Sequence, residues 1–207
     1  QKIFFALVTL MALSAHADSV LLWNLSQDRI EIARDADHVR SIASITKIMT
    51  AMVTLDYDKN LSRRLTLNKS VGSHLPRQEY TREQLLRAML INSDNAAAET
   101  IAADYPGGRS AFIARMNWQA AMWNLDNTNF VDPSGLGVFN VSTARDVANM
   151  MQIAAGYWFI GEVSSLKQTA VETKYKKRIR TINLPHTSGQ LLDRKSTRLN
   201  SSHIPLS

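Results

Sequence analysis

The chain contains no cysteine. That excludes a disulfide framework, a thiolate zinc site, a cysteine nucleophile and a lipidated N-terminal cysteine. The five histidines, at 16, 38, 74, 186 and 203, show neither H-x-x-x-H nor H-E-x-x-H spacing, so neither a metal site nor a cofactor is expected. No G-x-S-x-G elbow occurs, which removes the α/β-hydrolase arrangement of a serine nucleophile. Internal repeats and linker-like stretches are also lacking.

What is present fits one globular domain. The chain has 207 residues, of which 45% are hydrophobic and 20% charged. The opening "QKIFFALVTLMALSAHA" has a basic residue, a short apolar core and an A-x-A ending, the order of a secretory signal peptide. The apolar run is too short to span a bilayer. Residues 1–17 are therefore expected to be removed, with Asp18 as the mature start outside the cytoplasm.

The other end is polar and basic. Residues 193–203, "DRKSTRLNSSH", are what a common sequencing adapter encodes when it is read through. Residues 193–207 are therefore expected to be foreign, with the natural protein continuing beyond Leu192. Arg194, Lys195 and Arg198 against Asp193 supply +2 of the formal charge of +6. The remaining basicity is mild, with a cluster at "KYKKRIR" (174–180) that reads as a solvated strand face. No nucleic-acid partner is expected.

Between the ends, "SVLLWNL" and "RIEIARD" read as a hairpin. Residues 44–55 carry Ile45, Ile48, Met49, Met52 and Leu55 at helical spacing. Thr46, Thr50 and Thr54 fall on the other face, so this helix is nearly apolar all round and expected at the centre. Thr81 with Gln84 predicts a capping box before "QLLRAMLI", and Thr143 with Asp146 predicts a second. Helices are also predicted in "NAAAETIAADY", stopped by Pro106-Gly107-Gly108, and in "SAFIARMNWQAAMWNL". "DPSG" (132–135) is turn chemistry. "VETKYKKRIRTINL" alternates enough to be a strand pair. The class predicted is α+β, with an antiparallel sheet drawn from the N- and C-terminal strands around a central helical block.

Lys47 is the only charged residue between Arg40 and Asp56. Ser44 lies three positions before it, on the same helix face. An amine accepts a proton only when neutral, and burial is what lowers a lysine pKa. A serine and a lysine in that setting suit a nucleophile–base pair, or else a helix-start serine beside a lysine that buries its stem and keeps its amine in water. The spacing alone is weak: 19 serines and 9 lysines give about 0.8 chance copies. A second copy, Ser164 and Lys167, sits among polar residues and is read as the chance one. "INSDNAAAE" places Ser93 and Asn95 between two helices, where a hydroxyl relays a proton and an amide holds a substrate. Either residue also suits a helix N-cap.

The blocks "RSIASITKIMTAMVTLD", "INSDNAAAETIAADYPGG", "AFIARMN", "TNFVDPSGL" and "NVSTARDV" resemble, in order, those of low-molecular-mass penicillin-binding proteins. "YPGG" and "NVSTARD" are more similar to the D-alanyl-D-alanine endopeptidases than to the related carboxypeptidases. The resemblance runs from the first hairpin to about residue 184, within a domain of residues 18–192. It implies a serine β-lactamase/DD-peptidase-like fold and a periplasmic serine hydrolase that cuts D-alanyl–diaminopimelate cross-links of peptidoglycan. On that resemblance Ser44 is acylated, Lys47 is its base, Ser93 relays the proton, Asn95 binds the substrate peptide, and the Ser44 N–H is half of an oxyanion hole. Implied partners are peptidoglycan stems and β-lactam antibiotics, with peripheral membrane or wall association.

The family's third motif, Lys-Thr-Gly on a late strand, is absent. "HTSG" (186–189) has an extra residue and comes too early. The last strands of the sheet are expected to be missing with it, and the chain as it stands to be inactive. A class A β-lactamase requires E-x-x-x-N, which does not occur. The other functions open at this point are a D-Ala-D-Ala carboxypeptidase and a non-catalytic penicillin- or wall-binding domain.

Overall fold

A computed structural model describes residues 18–68, 71–175 and 178–187. The segments expected to be a signal peptide and a foreign tail lie outside those residues, as do Ser188 and Gly189 of "HTSG". The predicted N-terminal hairpin forms as β1 (Val20–Asn24) and β2 (Arg29–Arg34), antiparallel, with a register shift between Leu22 and Trp23. A two-residue strand β3 (Arg40–Ser41) leads into a 3-10 turn at Ala43–Ile45 and then α1 (Thr46–Tyr57). The hairpin of β4 (Arg64–Thr66) and β5 (Glu79–Thr81) precedes α2 (Arg82–Asn92), α3 (Asn95–Ala103) and α4 (Gly108–Met122). Then come β6 (Val141–Ser142), α5 (Ala144–Ala154), α6 (Trp158–Ser164) and a long hairpin of β7 (Gln168–Tyr175) and β8 (Arg178–Pro185).

Helix α1 is central, as its apolar surface requires. Met49, Ala51, Met52 and Val53 are fully or almost fully buried, and so are Thr46, Thr50 and Thr54. The threonine face is therefore not a solvent face. Thr50 Oγ1 donates to Pro133 O at 2.7 Å and Thr54 Oγ1 to Thr50 O at 2.6 Å, which makes burial of two of the hydroxyls affordable. Helices α2, α3, α4 and α5 all pack on α1.

The caps follow local chemistry. Thr81 and Gln84 form the full reciprocal box. Thr81→Ala is expected to destabilise the fold by about 1 kcal/mol, read from urea denaturation. The second box is only half made. Thr143 Oγ1 accepts from Asp146 N, but the Asp146 carboxylate turns to Asn127 N and Thr128 Oγ1. An aspartate is a methylene shorter than the glutamate of a full box, and better-placed donors capture it.

The α+β class holds, but the described strands form four separate two-stranded sheets. Among the described strands the two terminal hairpins do not pair with each other. The late hairpin is instead held on α2: Gln84 Nε2 donates to Glu172 O and Asn92 Nδ2 to Pro185 O. The first hairpin leaves Leu22, Ile30 and Ile32 exposed. In the basic cluster, Ile179 and Arg180 are exposed. No described helix is long and apolar enough to cross a membrane.

Candidate active site

Strand β3 pairs with β6, Arg40 opposite Ser142 and Ser41 opposite Val141. Ile42 N then donates to Asn140 O at 3.0 Å. These bonds deliver the chain to Ala43, whose φ of +45° is unusual for a residue with a side chain. The turn that follows presents Ser44 at the surface, while Lys47, one turn on, is only 2% exposed. Lys47 Nζ lies 3.1 Å from Ser44 Oγ and 2.5 Å from Ser134 O. Ser93 Oγ donates to Ser44 Oγ at 2.8 Å. Two hydroxyls and an amine from segments 49 residues apart thus meet at one point.

Burial pushes the Lys47 amine down from 10.5 to about 8, against the charges of Asp132 and Asp94, which push it up. At pH 7 that reduces the free energy of reaching the neutral amine from about 5 to about 1.4 kcal/mol.

Ser93 reaches Ser44 because it ends α2 in the left-handed region, at φ +57°. The cap of α3 is neither Ser93 nor Asn95, the two candidates from sequence, but Asp94 between them. Its Oδ1 accepts from Ala97 N at 2.9 Å, and Oδ2 accepts from Ser73 Oγ and His74 N. Asp94 takes over capping and leaves the flanking pair available: Ser93 for Ser44, Asn95 half-buried at the first position of α3.

The far wall is the turn at 132–140, which sequence reading marked as a turn without connecting it to Ser44. Thr50 and Lys47 both donate into its backbone, at Pro133 O and Ser134 O. Gly135 sits at φ +81°, and a Cβ there would lie 1.9 Å from Ala43 O. Only glycine fits. The buried face of α1 and this turn therefore hold the Ala43–Ser44 peptide between them. The signal for this role was the Asp-Pro-Ser-Gly string itself. Its placement lay 87 residues from Lys47, beyond any spacing rule.

Ser164 and Lys167, the second Ser-x-x-Lys, are both exposed and take no part. Thr187 N donates to Ile91 O at 3.0 Å, which brings the start of "HTSG" to the end of α2. Among the described residues no cluster of His, Asp or Glu is placed to hold a metal ion.

The family model described as D-alanyl-D-alanine carboxypeptidase matches residues 7–200, and the chain belongs to that family. It is 38% identical over 158 residues to the D-alanyl-D-alanine endopeptidase of Escherichia coli, covering 72% of this chain and 51% of that protein. Against the D-alanyl-D-alanine endopeptidase of Pseudomonas aeruginosa the identity is 33% over 165 residues, covering 76% and 53%. The chain thus spans about half the length of these curated relatives. Its fold matches the crystal structure of the Streptomyces K15 DD-transpeptidase with a TM-score of 0.80 at 30% identity, covering 87% of this chain and 76% of that one.

Proposed function

We propose that these residues carry the acyl-transfer site of a serine-type DD-peptidase acting on peptidoglycan. The observation that carries this reading is the contact of Ser44 Oγ with both a buried, pKa-lowered Lys47 and the Ser93 hydroxyl. Neutral Lys47 takes the Ser44 proton as Oγ attacks the D-alanyl carbonyl carbon. The oxyanion faces the Ser44 N–H. The C–N bond then breaks, and the proton on Lys47 passes through Ser93 to the leaving amine. Water, deprotonated by Lys47, attacks the ester and restores the Ser44 hydroxyl. Asn95 hydrogen-bonds the peptide of the substrate.

The substrate class is the D-alanyl–diaminopimelate cross-link, because the two endopeptidases reach 38% and 33% identity. A D-Ala-D-Ala carboxypeptidase is the second reading, favoured by the description of the family model. β-Lactams acylate Ser44 by the same attack. The apolar run at 3–13 supports export to the periplasm, where the protein associates peripherally with wall or membrane.

The test uses the full-length gene product. Labelled penicillin should be recovered on the tryptic peptide containing Ser44, and Ser44→Ala should abolish the label. Label surviving in Ser44→Ala would sink the assignment. Uptake independent of Lys47 would favour a non-catalytic binding domain. Faster release of terminal D-alanine from monomeric stems than cleavage of cross-linked dimers would favour the carboxypeptidase. Retention of residues 1–17 in the mature protein would overturn the cleavage reading, and recovery only in the cytoplasmic fraction would overturn export.

A further inference from the structure

Asp132 is only 7% exposed, and its carboxylate accepts from five donors within its own turn. Oδ1 takes Ser134 N at 2.7 Å, Ser134 Oγ at 2.8 Å and Gly135 N at 2.6 Å. Oδ2 takes Gly137 N at 2.6 Å and Asn140 Nδ2 at 2.7 Å. The Asn140 side-chain oxygen closes the ring by accepting from Val131 N at 3.0 Å and Asp132 N at 3.4 Å. One side chain therefore sets the course of the backbone from 131 to 140.

That backbone touches the reacting groups at three places. Ser134 O accepts from Lys47 Nζ. The Gly135 Cα lies against the Ala43–Ser44 peptide, with no room for a Cβ. Asn140 O accepts from Ile42 N, two residues before Ser44. The three contacts fall on the base, the peptide of the nucleophile and the strand leading into it.

We propose that Asp132 is the positioning residue of this site, holding Lys47 and Ser44 in their reacting geometry through the 132–140 turn. The proposal rests on the reading that Ser44 and Lys47 perform acyl transfer. Two features favour a tuned position over a merely structural turn. A neutral asparagine at 132 would still accept at Oδ1 but would turn an amide towards the Gly137 N–H and Asn140 Nδ2. Burial pushes the Asp132 carboxyl up, yet hydrogen bonds from Ser134, Gly137 and Gly135 outweigh it and hold the group below the ordinary carboxylate value. The charge is thus kept beside a buried amine, where Asp132 and Asp94 are the two acidic groups that oppose its loss of a proton.

The test compares Asp132→Asn, Asp132→Ala and the exchanged pair Asp132→Asn/Asn140→Asp in the full-length gene product. Labelled-penicillin acylation is followed across pH, and Lys47 is titrated through its 13C-labelled ε-carbon. Asp132→Asn is expected to lower the plateau acylation rate about 100-fold, with non-covalent affinity little changed. The Lys47 midpoint should move to lower pH, because a facing negative charge is gone. The exchanged pair, which restores a carboxylate–amide bond, should recover about tenfold of the rate. If Asp132→Ala does not fold, Asp132→Asn decides. A folded Asp132→Asn with unchanged plateau and midpoint would overturn the proposal. So would a rate loss that follows only the folded fraction in urea. If the unsubstituted protein is not acylated at Ser44, the functional reading fails. The Lys47 titration, which needs no acylation, then still decides about Asp132.

Discussion

Acylation by a labelled penicillin is expected to fall by about 10³-fold or more when Lys47 is replaced by arginine. The guanidinium keeps the positive charge and most of the length, but it cannot be deprotonated near neutral pH. In the unsubstituted protein the rate should rise about tenfold per pH unit and level off near pH 8, where burial places the amine. The arginine variant should show residual acylation without that limb. A second consequence follows for stability. The folded Lys47 releases its proton near 8, whereas the unfolded side chain holds it to 10.5. Between those values the unfolded state binds more protons, so stability rises with pH, by up to about 3 kcal/mol. Below pH 8 the full penalty of the buried ammonium remains. Lys47→Met should flatten this slope, measured by urea denaturation at pH 7.5 and 10. An identical slope in Lys47→Met would show that other groups produce it.

Arg82→Ala should cost about 3–5 kcal/mol of stability. Arg82 begins α2 yet is only 2% exposed. Its Nη1 contacts Asp58 Oδ2 at 2.5 Å and donates to Asn60 O at 3.1 Å, and its Nη2 contacts Asp104 Oδ2 at 2.7 Å. Arg63 also reaches Asp104, at 2.7 Å, but from an exposed position. Arg82 therefore ties the end of α1 and the end of α3 to the start of α2. Truncation leaves a cavity, removes one of the two donors to Asn60 O, takes the ion pair from Asp58 and leaves Asp104 with Arg63. Arg63→Ala, which removes an exposed partner, should cost far less than Arg82→Ala. Equal losses for the two variants, read from denaturation midpoints, would contradict this division.

Much of the site was legible because its key spacing is local. Ser44 and Lys47 share one helical turn, so their contact needs only that the turn form. The meaning of Lys47 came from the lack of other charge between Arg40 and Asp56, and the structure buries Lys47 together with Thr46 and residues 49–54. The Thr81–Gln84 box was legible for the same reason: both partners lie within four residues. The α+β class followed from hairpin and helix patterns that repeat over short windows.

Other features needed the tertiary structure. Three adjacent residues, Ser93, Asp94 and Asn95, all qualify as caps by type. The choice fell to Asp94 because Ser73 and His74, twenty residues away, add donors to its second oxygen. The threonines of α1 fit a helix apolar nearly all round, but the acceptor that makes the burial of Thr50 tolerable is the carbonyl of Pro133, arriving from 83 residues away. Nothing in the sequence singles out Arg82; the convergence of Asp58 and Asp104 is what lets it be buried. The string that holds Asp132 and Gly135 announces a turn, but a turn becomes the wall of the candidate site only through what it packs against. Sequence alone determined most of the helices, the Thr81–Gln84 box and the Ser44–Lys47 pair, because hydrogen bonds and side-chain spacing within a turn depend on near neighbours. Tertiary structure decided which polar groups are buried, and against which backbone, because desolvation depends on segments that chain connectivity leaves far apart.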